Sequence, residues 1–196
     1  RDSVDISLVV FPHVRYDYVF SDNFQRAFIG VRGGLDENSY WTLSKKNPFI
    51  LNALTTDGGS LELINSQIKY DFYVGMNSYL GSDVNWSSEL SYARVQDMSF
   101  FELDPHSLYQ NKFKVVYDNV NHLQWSSTLD WDVNPNANVN LQLNYHKYDL
   151  DSLQEYAYKP AIISKLGFSY DIGDKILPQI ELVGAFDRST ASDSSS

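Results

Sequence analysis

The residues that could support catalysis or metal binding are scattered along this chain of 196 residues. Its four histidines show neither close metal-ligand spacing nor an HExxH pair: they are His13, His106, His122 and His146. The sequence contains no GxSxG motif and no cysteine, which excludes a nucleophile elbow, a disulfide and a thiolate metal site. We therefore predict no catalytic residue, no cofactor and no metal centre, and we interpret the histidines as polar residues of a lumen or of loops.

Two segments, 123–133 and 137–147, give the clearest prediction of secondary structure in the chain. Each segment alternates between apolar and polar residues, and the turn at 134–136 joins them. A period of two predicts antiparallel strands with one apolar and one polar face. The polar face carries amides, hydroxyls and carboxylates and almost no lysine. Because such a face suits a confined aqueous lumen, we predict an outer-membrane β-barrel whose apolar face contacts lipid.

The connections between the predicted strands alternate in length. Short turns are predicted at 21–23, 81–83, 134–136 and 173–174. Longer segments are predicted at 36–67, which has room for a hairpin or helical turn, and at 98–111 and 149–160. Short turns on one side and long loops on the other are typical of outer-membrane barrels.

This order predicts an antiparallel up-and-down transmembrane β-barrel of about eight strands. We assign residues 1–188 to the barrel and residues 189–196 to a Ser-rich disordered or loop end. The first strand would enter, and the last would leave, on the side of the long loops. The chain is therefore expected to be an internal part of a larger barrel.

Composition and charge limit the partners that the protein could bind. The formal net charge of -10 argues against nucleic acid and against an anionic membrane surface. Aromatic residues make up 15% of the chain, which suits the aromatic belts of a barrel but also a tyrosine-rich soluble β-sandwich. The expected partners are outer-membrane lipid and other outer-membrane or periplasmic proteins.

Four acidic side chains point inward on the predicted strands: Glu89, Asp130, Asp132 and Asp171. They could form a lumen patch that attracts cations. Alternatively, they are paired with Arg94 or Lys165 as ordinary filling of the barrel interior, which is the interpretation that we favour.

Five aromatic residues share the apolar parity of the strands: Trp86, Trp125, Trp131, Tyr145 and Tyr170. Tryptophan and tyrosine are enriched at both membrane–water interfaces, so we interpret these residues as interfacial anchors. Stacking of the tryptophans on sugars is the alternative, and their apolar parity disfavours it.

Two short motifs fall in the predicted loop at 149–160. The Asp-Leu-Asp segment at 149–151, with Glu155 nearby, could bind Ca²⁺, but the EF-hand pattern is absent and a solvated acidic loop is preferred. The Asp-Ser-Leu segment at 151–153 resembles the Asp-Ser/Thr-aliphatic O-glycosylation site of Bacteroidota. Ser152 is therefore a candidate for modification.

Several motifs carry a resemblance to a known family. They occur in order at 69–80 (KYDFYVGMNSYL), 97–101 (DMSFF), 111–119 (NKFKVVYDN), 158–160 (YKP) and 174–176 (DKI). Together they resemble a group of Bacteroidota outer-membrane β-barrel proteins usually labelled TonB-dependent-receptor-like, over residues 11–186. The resemblance implies residence in the outer membrane of a Gram-negative bacterium. It also implies a transport role, although neither a plug nor a TonB box is found in this sequence.

Three functional hypotheses remain at this stage. The favoured one is passage or uptake of a solute, without enzymatic activity. The second is a structural or accessory barrel within a multi-protein outer-membrane complex. The third is a soluble sugar-binding β-sandwich, which the order of the turns disfavours.

Overall fold

A computed structural model of the chain describes residues 9–21, 25–50, 63–104, 112–153, 159–173 and 176–186. These residues form one antiparallel sheet whose eight strands pair in chain order, with one short helix between the second and third strands. The strands are β1 (His13–Ser21), β2 (Gln25–Asp36), β3 (Ser66–Tyr79), β4 (Val84–Leu103), β5 (Phe113–Asn134), β6 (Ala137–Leu150), β7 (Ile162–Tyr170) and β8 (Gln179–Phe186), and the helix is α1 (Tyr40–Lys46). The prediction of an all-β, up-and-down architecture is confirmed.

The hairpin of β5 and β6 has the register that its alternation predicts. Leu123 lies opposite Lys147, and Trp131 lies opposite Val139. The connections after β1, β3 and β5 are short, and a bridge between Ile172 and Ile176 narrows the connection at 171–178 after β7; these four connections define the turn end of the sheet. Those after β2, β4 and β6 are longer and define its loop end. The predicted alternation of short turns and long loops is therefore present.

The sheet is open, as in a partial barrel. Within the described residues, β1 pairs with β2 alone and β8 pairs with β7 alone. Each of these outer strands therefore presents one row of backbone N–H and C=O groups without a strand partner in the described part of the chain.

Helix α1 lies at the loop end and begins with a capping box. The Ser39 hydroxyl accepts the backbone N–H of Thr42 at 3.2 Å, and the Thr42 hydroxyl accepts the N–H of Ser39 at 2.9 Å. Leu43 is fully buried in a cluster with Ile50 and Phe101. Two residues of β5, Phe113 and Val115, are partly buried and pack against this cluster. Among the described residues of the predicted loop at 36–67 there is thus one helix, which is packed onto the extensions of β4 and β5.

β4 continues beyond the point at which the sequence predicts a loop. Residues from 98 onward were predicted to be irregular, but β4 extends to Leu103 and stays paired with β5. Asp97 adopts a φ of 55°, and the register shifts between Val95 and Met98. A bulge adds a residue and so breaks the period of two while the pairing continues. The prediction from periodicity is wrong for this segment.

Some predicted features lie outside the described residues. These are His106, Glu155 and the serine-rich end at 189–196. In the part of the chain that the structure describes, no helix combines the length and apolarity needed to cross a membrane.

Candidate functional site

One row of side chains crosses the whole sheet and is apolar at every strand. Its members are direct cross-strand neighbours, and all are exposed. From β1 to β8 they are Tyr16, Ile29, Val74, Leu90, Trp125, Tyr145, Ile162 and Phe186. On an ordinary soluble surface, exposed apolar residues are scattered singly. A continuous apolar row across eight strands is therefore not typical of such a surface.

The apolar face continues above and below this row over a limited height. On β4 it extends from Val84 to Tyr92, and Arg94 then begins a more polar level towards the loop end. Eight residue steps at about 3.3 Å give roughly 26 Å along the strand, or about 20 Å after a strand tilt of about 40°. Such a band approaches the apolar belt of about 25 Å that surrounds membrane barrels.

Two tryptophans and two serines form reciprocal hydrogen bonds in the middle of this face. The Trp86 indole N–H donates to the Ser127 hydroxyl at 3.0 Å, and the Trp125 indole N–H donates to the Ser88 hydroxyl at 2.9 Å. Ser88 and Ser127 are themselves cross-strand partners. The bonds satisfy both indole N–H groups on a face that offers few other acceptors.

The remaining predicted aromatic anchors lie on the same apolar face. Trp131 and Tyr170 are exposed near the turn end, whereas Tyr145 belongs to the apolar row. The role of the five aromatic residues as interfacial anchors stays a prediction.

The opposite, polar face holds an ion-pair network around Arg32. Its Nε donates to Asp71 Oδ2 at 2.7 Å, and its Nη2 donates to Glu89 Oε1 at 2.8 Å. The Arg32 guanidinium also lies 4.6 Å from the ring centroid of Tyr73. Glu89 therefore has an arginine partner, as the barrel-filling interpretation requires. The partner is Arg32 and not Arg94, which pairs with Asp151.

The four acids of the predicted lumen patch do not share one set of contacts. Asp130 accepts a hydrogen bond from Asn140, and Asp132 accepts one from Asn138 at 2.9 Å. Asp171 follows β7 in the turn, where its backbone N–H donates to Asn136. A cation-attracting role for the four acids stays a prediction.

Ser152 lies at the loop end, immediately after β6, and is exposed. The backbone N–H groups of Ser152 and Leu153 donate to Asp118 Oδ2 at 3.0 and 2.9 Å. The neighbouring Asp151 pairs with Arg94, and this hydrogen bond holds the pKa of Asp151 below its ordinary value. Ser152 therefore belongs to an anchored segment, and its glycosylation stays a prediction.

A cavity of about 800 Å³ opens at the loop end of the sheet. Part of its wall is apolar, formed by Phe49, Ile68, Val95, Met98, Phe101 and Phe113. The charged and ionisable groups in the described part of the wall are Asp36, Lys46, His122 and Lys159. Its volume lies within the range of about 300–1,000 Å³ that is usual for small-molecule sites.

Four rings pack together beside this cavity, and we call them the ring cluster: Phe100, His122, His146 and Tyr148. The Tyr148 ring stacks on His122 at 4.5 Å and 4°, and it meets Phe100 edge-on at 6.3 Å. His122 Nε2 lies 3.1 Å from His146 Nδ1, so one of these nitrogens donates to the other. Among the described residues, no group of three or more His, Asp or Glu side chains is placed to hold a metal ion.

Lys159 lies against the ring cluster and faces the cavity. Its Nζ is 4.0 Å from the Phe100 ring centroid and 5.1 Å from that of Tyr148. Burial, together with repulsion from Lys46, lowers the pKa of Lys159 to about 7, and attraction to Asp36 only partly opposes this. The backbone next to Lys159 is tied to β6, because the His146 N–H donates to the Ala161 carbonyl at 2.7 Å.

Comparisons with known proteins bear on the fold. No protein-family model matches the chain, and no curated protein matches it. Among solved structures the chain is similar to the copper transporter OprC, with a TM-score of 0.54 and 14% sequence identity over 82% of this chain. The chain spans 24% of the length of that transporter. At this identity the likeness shows a shared fold, and the resemblance to the Bacteroidota family stays a prediction.

Sequence reasoning missed the residues that shape the loop-end cavity. Lys159 appeared only within a family motif, and Phe100 fell in a segment that was predicted to be irregular. His122 and His146 have no metal-ligand spacing in the sequence, and alternation alone does not show that they are in contact. The register of β5 against β6 was the missing information, because it places His122 opposite Tyr148, two residues along β6 from His146.

Proposed function

We propose that this chain forms part of the wall of an outer-membrane β-barrel in a Gram-negative bacterium, and that the barrel admits a solute. The apolar row that crosses all eight strands carries the proposal. An exposed apolar face of this extent is stable against lipid, where it needs no protein partner. The polar face would then line the lumen, which suits its paired charges and amides.

Two further observations support transport over a purely structural role. The loop-end cavity has the volume of a small-molecule site and lies where a solute would arrive from outside. The fold is similar to that of a protein described as a transporter. Closure of the barrel would come from further strands that pair with the outer edges of β1 and β8, since open edges are not tolerated in a bilayer.

Membrane insertion is tested first, with the intact protein that contains this chain. We expect the protein to remain in the membrane fraction after urea and alkaline washes and to need detergent for extraction. A chain that stays folded and soluble without detergent would overturn the proposal in favour of a β-sandwich.

A matched pair of substitutions tests which face meets lipid. Leu90→Lys places a charge on the apolar row, and we expect it to destabilise the inserted protein by about 2–4 kcal/mol. Ser126→Lys places the same charge on the polar face, next to Glu89 in the register, and should change stability far less. Equal effects of the two substitutions would contradict the assignment of the faces.

Solute passage is tested by flux into liposomes that contain the purified protein. Uptake of small solutes above the level of empty liposomes supports the proposal. Absence of flux, together with stoichiometric partner proteins in the native preparation, would instead favour a structural or accessory barrel.

A further inference from the structure

We infer that the loop-end cavity binds an organic carboxylate with an aromatic or apolar body, and that Lys159 is the cation that receives the carboxylate. The inference rests on the proposed function, because it names the class of solute that the barrel meets at its loop end. Three properties of the cavity support it: a lysine with no acidic partner among the described residues, more lysines than carboxylates in the described wall, and an apolar wall.

Aromatic contacts hold Lys159 in place, and no carboxylate of the described residues forms an ion pair with it. Its Nζ lies over the rings of Phe100 and Tyr148, whose faces attract a cation without forming a salt bridge. Among the described residues Lys159 has no ion-pair partner, since the nearby Asp36 pairs with Lys46 at 3.7 Å. The ammonium group therefore remains available to a ligand anion.

The balance of charge around the cavity favours an anion over a metal ion or an ammonium group. In the described part of the wall, the two lysines Lys46 and Lys159 stand against the single carboxylate of Asp36. The ammonium group of Lys159 also repels positive charge at His122 and His146. A divalent cation at this histidine pair would meet the same repulsion.

The apolar wall defines the remainder of the ligand. Phe101 and Phe113 face the cavity together with Ile68, Val95 and Met98. Transfer of an aromatic or aliphatic body from water to such a wall is favourable by about 25 cal/mol for each Å² of apolar surface that is buried. A small inorganic anion would leave this wall unused, so a carboxylate attached to a hydrophobic body fits better.

The test measures equilibrium binding of three related probes to the intact protein in a nonionic detergent, with detergent alone as the blank. The probes are 2-naphthoate, 2-naphthylmethanol and 2-naphthylmethylammonium, which share one ring system and differ in charge. We expect 2-naphthoate to bind at least about tenfold more tightly than the other two, as a charged hydrogen-bonded contact requires. Preference for the alcohol or the ammonium compound, or no binding of 2-naphthoate, overturns the inference.

Two variants assign the preference to Lys159. Lys159→Met keeps an unbranched side chain but removes the charge, and we expect about a tenfold weaker affinity for 2-naphthoate with little change for the alcohol. The matched control is Lys69→Met, because Lys69 is exposed, bonds Gln67 and does not line the cavity. If Lys159→Met fails to fold, Lys159→Arg, which retains a cation, must preserve the preference. Its loss in that variant overturns the inference.

Failure of the inference and failure of the proposed function give different results. A protein that passes solutes through liposomes but does not prefer 2-naphthoate overturns the inference alone. A protein that binds 2-naphthoate through Lys159 but never enters a membrane overturns the proposed function.

Discussion

The ring of Tyr73 lies over Gly30, its cross-strand partner. A Cβ atom at Gly30 would come within 2.5 Å of both the Tyr73 ring and the backbone oxygen of Val14. The reverse arrangement occurs two residues along the same pair of strands, where Phe28 covers Gly75. Each glycine thus provides the space in which an aromatic ring covers the polar face of β2 and β3.

Substitution of Gly30 by alanine should destabilise the protein. Tyr73 would have to move off the strand, and overpacking of this kind costs about 1–3 kcal/mol. Gly34→Ala is the matched control on the same strand, because a Cβ there meets no atom within 4 Å. Urea unfolding in detergent measures both variants. Equal stability of Gly30→Ala and Gly34→Ala would show that the ring does not need this space.

The strands could be predicted because alternation and turn residues are local signals. The loop end could not be predicted as well, because its arrangement depends on features without a period. Asp97 introduces a bulge that breaks the alternation in β4, and Leu43 is buried partly by Phe101, which is distant in sequence. Lys159 carries no signal that identifies its ring partners, since Phe100 lies 59 positions earlier in the sequence.

Charge pairing on the polar face shows the same limit. Parity places Glu89 on the polar face, but its partner Arg32 lies on a strand that is not adjacent to β4. Alternation in a single sequence predicts which face of the sheet each residue lies on. It does not predict the curvature of the sheet, which brings β2 towards β4. The acidic residues of the polar face could therefore be predicted, whereas the cation that pairs with Glu89 could not.

The reciprocal bonds between the tryptophans and the serines should stabilise the pairing of β4 and β5. Ser88→Ala leaves the Trp125 indole N–H without its acceptor on the apolar face, and we expect a loss of about 1–2 kcal/mol. Trp125→Phe removes the donor as well. In a double-mutant cycle, Ser88→Ala should cost less in the Trp125→Phe background than in the native one. Strict additivity would mean that the hydrogen bond contributes nothing to stability.

Loss of Arg32 should be costly because it leaves acidic groups unpaired. Asp71 is 7% exposed, and no donor among the described residues reaches its second oxygen, Oδ1. Arg32 is itself partly exposed, so we expect Arg32→Met to cost about 2–3 kcal/mol, below the usual figure for a fully buried pair. Arg15→Met is the control, since its partner Asp17 is solvated and should tolerate the loss. Similar unfolding midpoints for the two variants would contradict a structural role for the Arg32 network.

The affinity for a carboxylate ligand should fall as the pH rises through neutrality. The pKa of Lys159 is lowered to about 7 by burial, so the ammonium form predominates below that pH and the neutral amine predominates above it. Since 2-naphthoate stays ionised throughout, its affinity should weaken by up to about tenfold between about pH 6 and pH 8.5, the same limit that Lys159→Met sets for loss of the charge. Among the described residues, the other titratable groups that face Lys159 are Asp36, Lys46, His122, His146 and Tyr148. Isothermal titration at both pH values with Lys159→Met separates their contribution, because that variant should lose most of the dependence. An unchanged pH profile in Lys159→Met would assign the effect to the histidines instead.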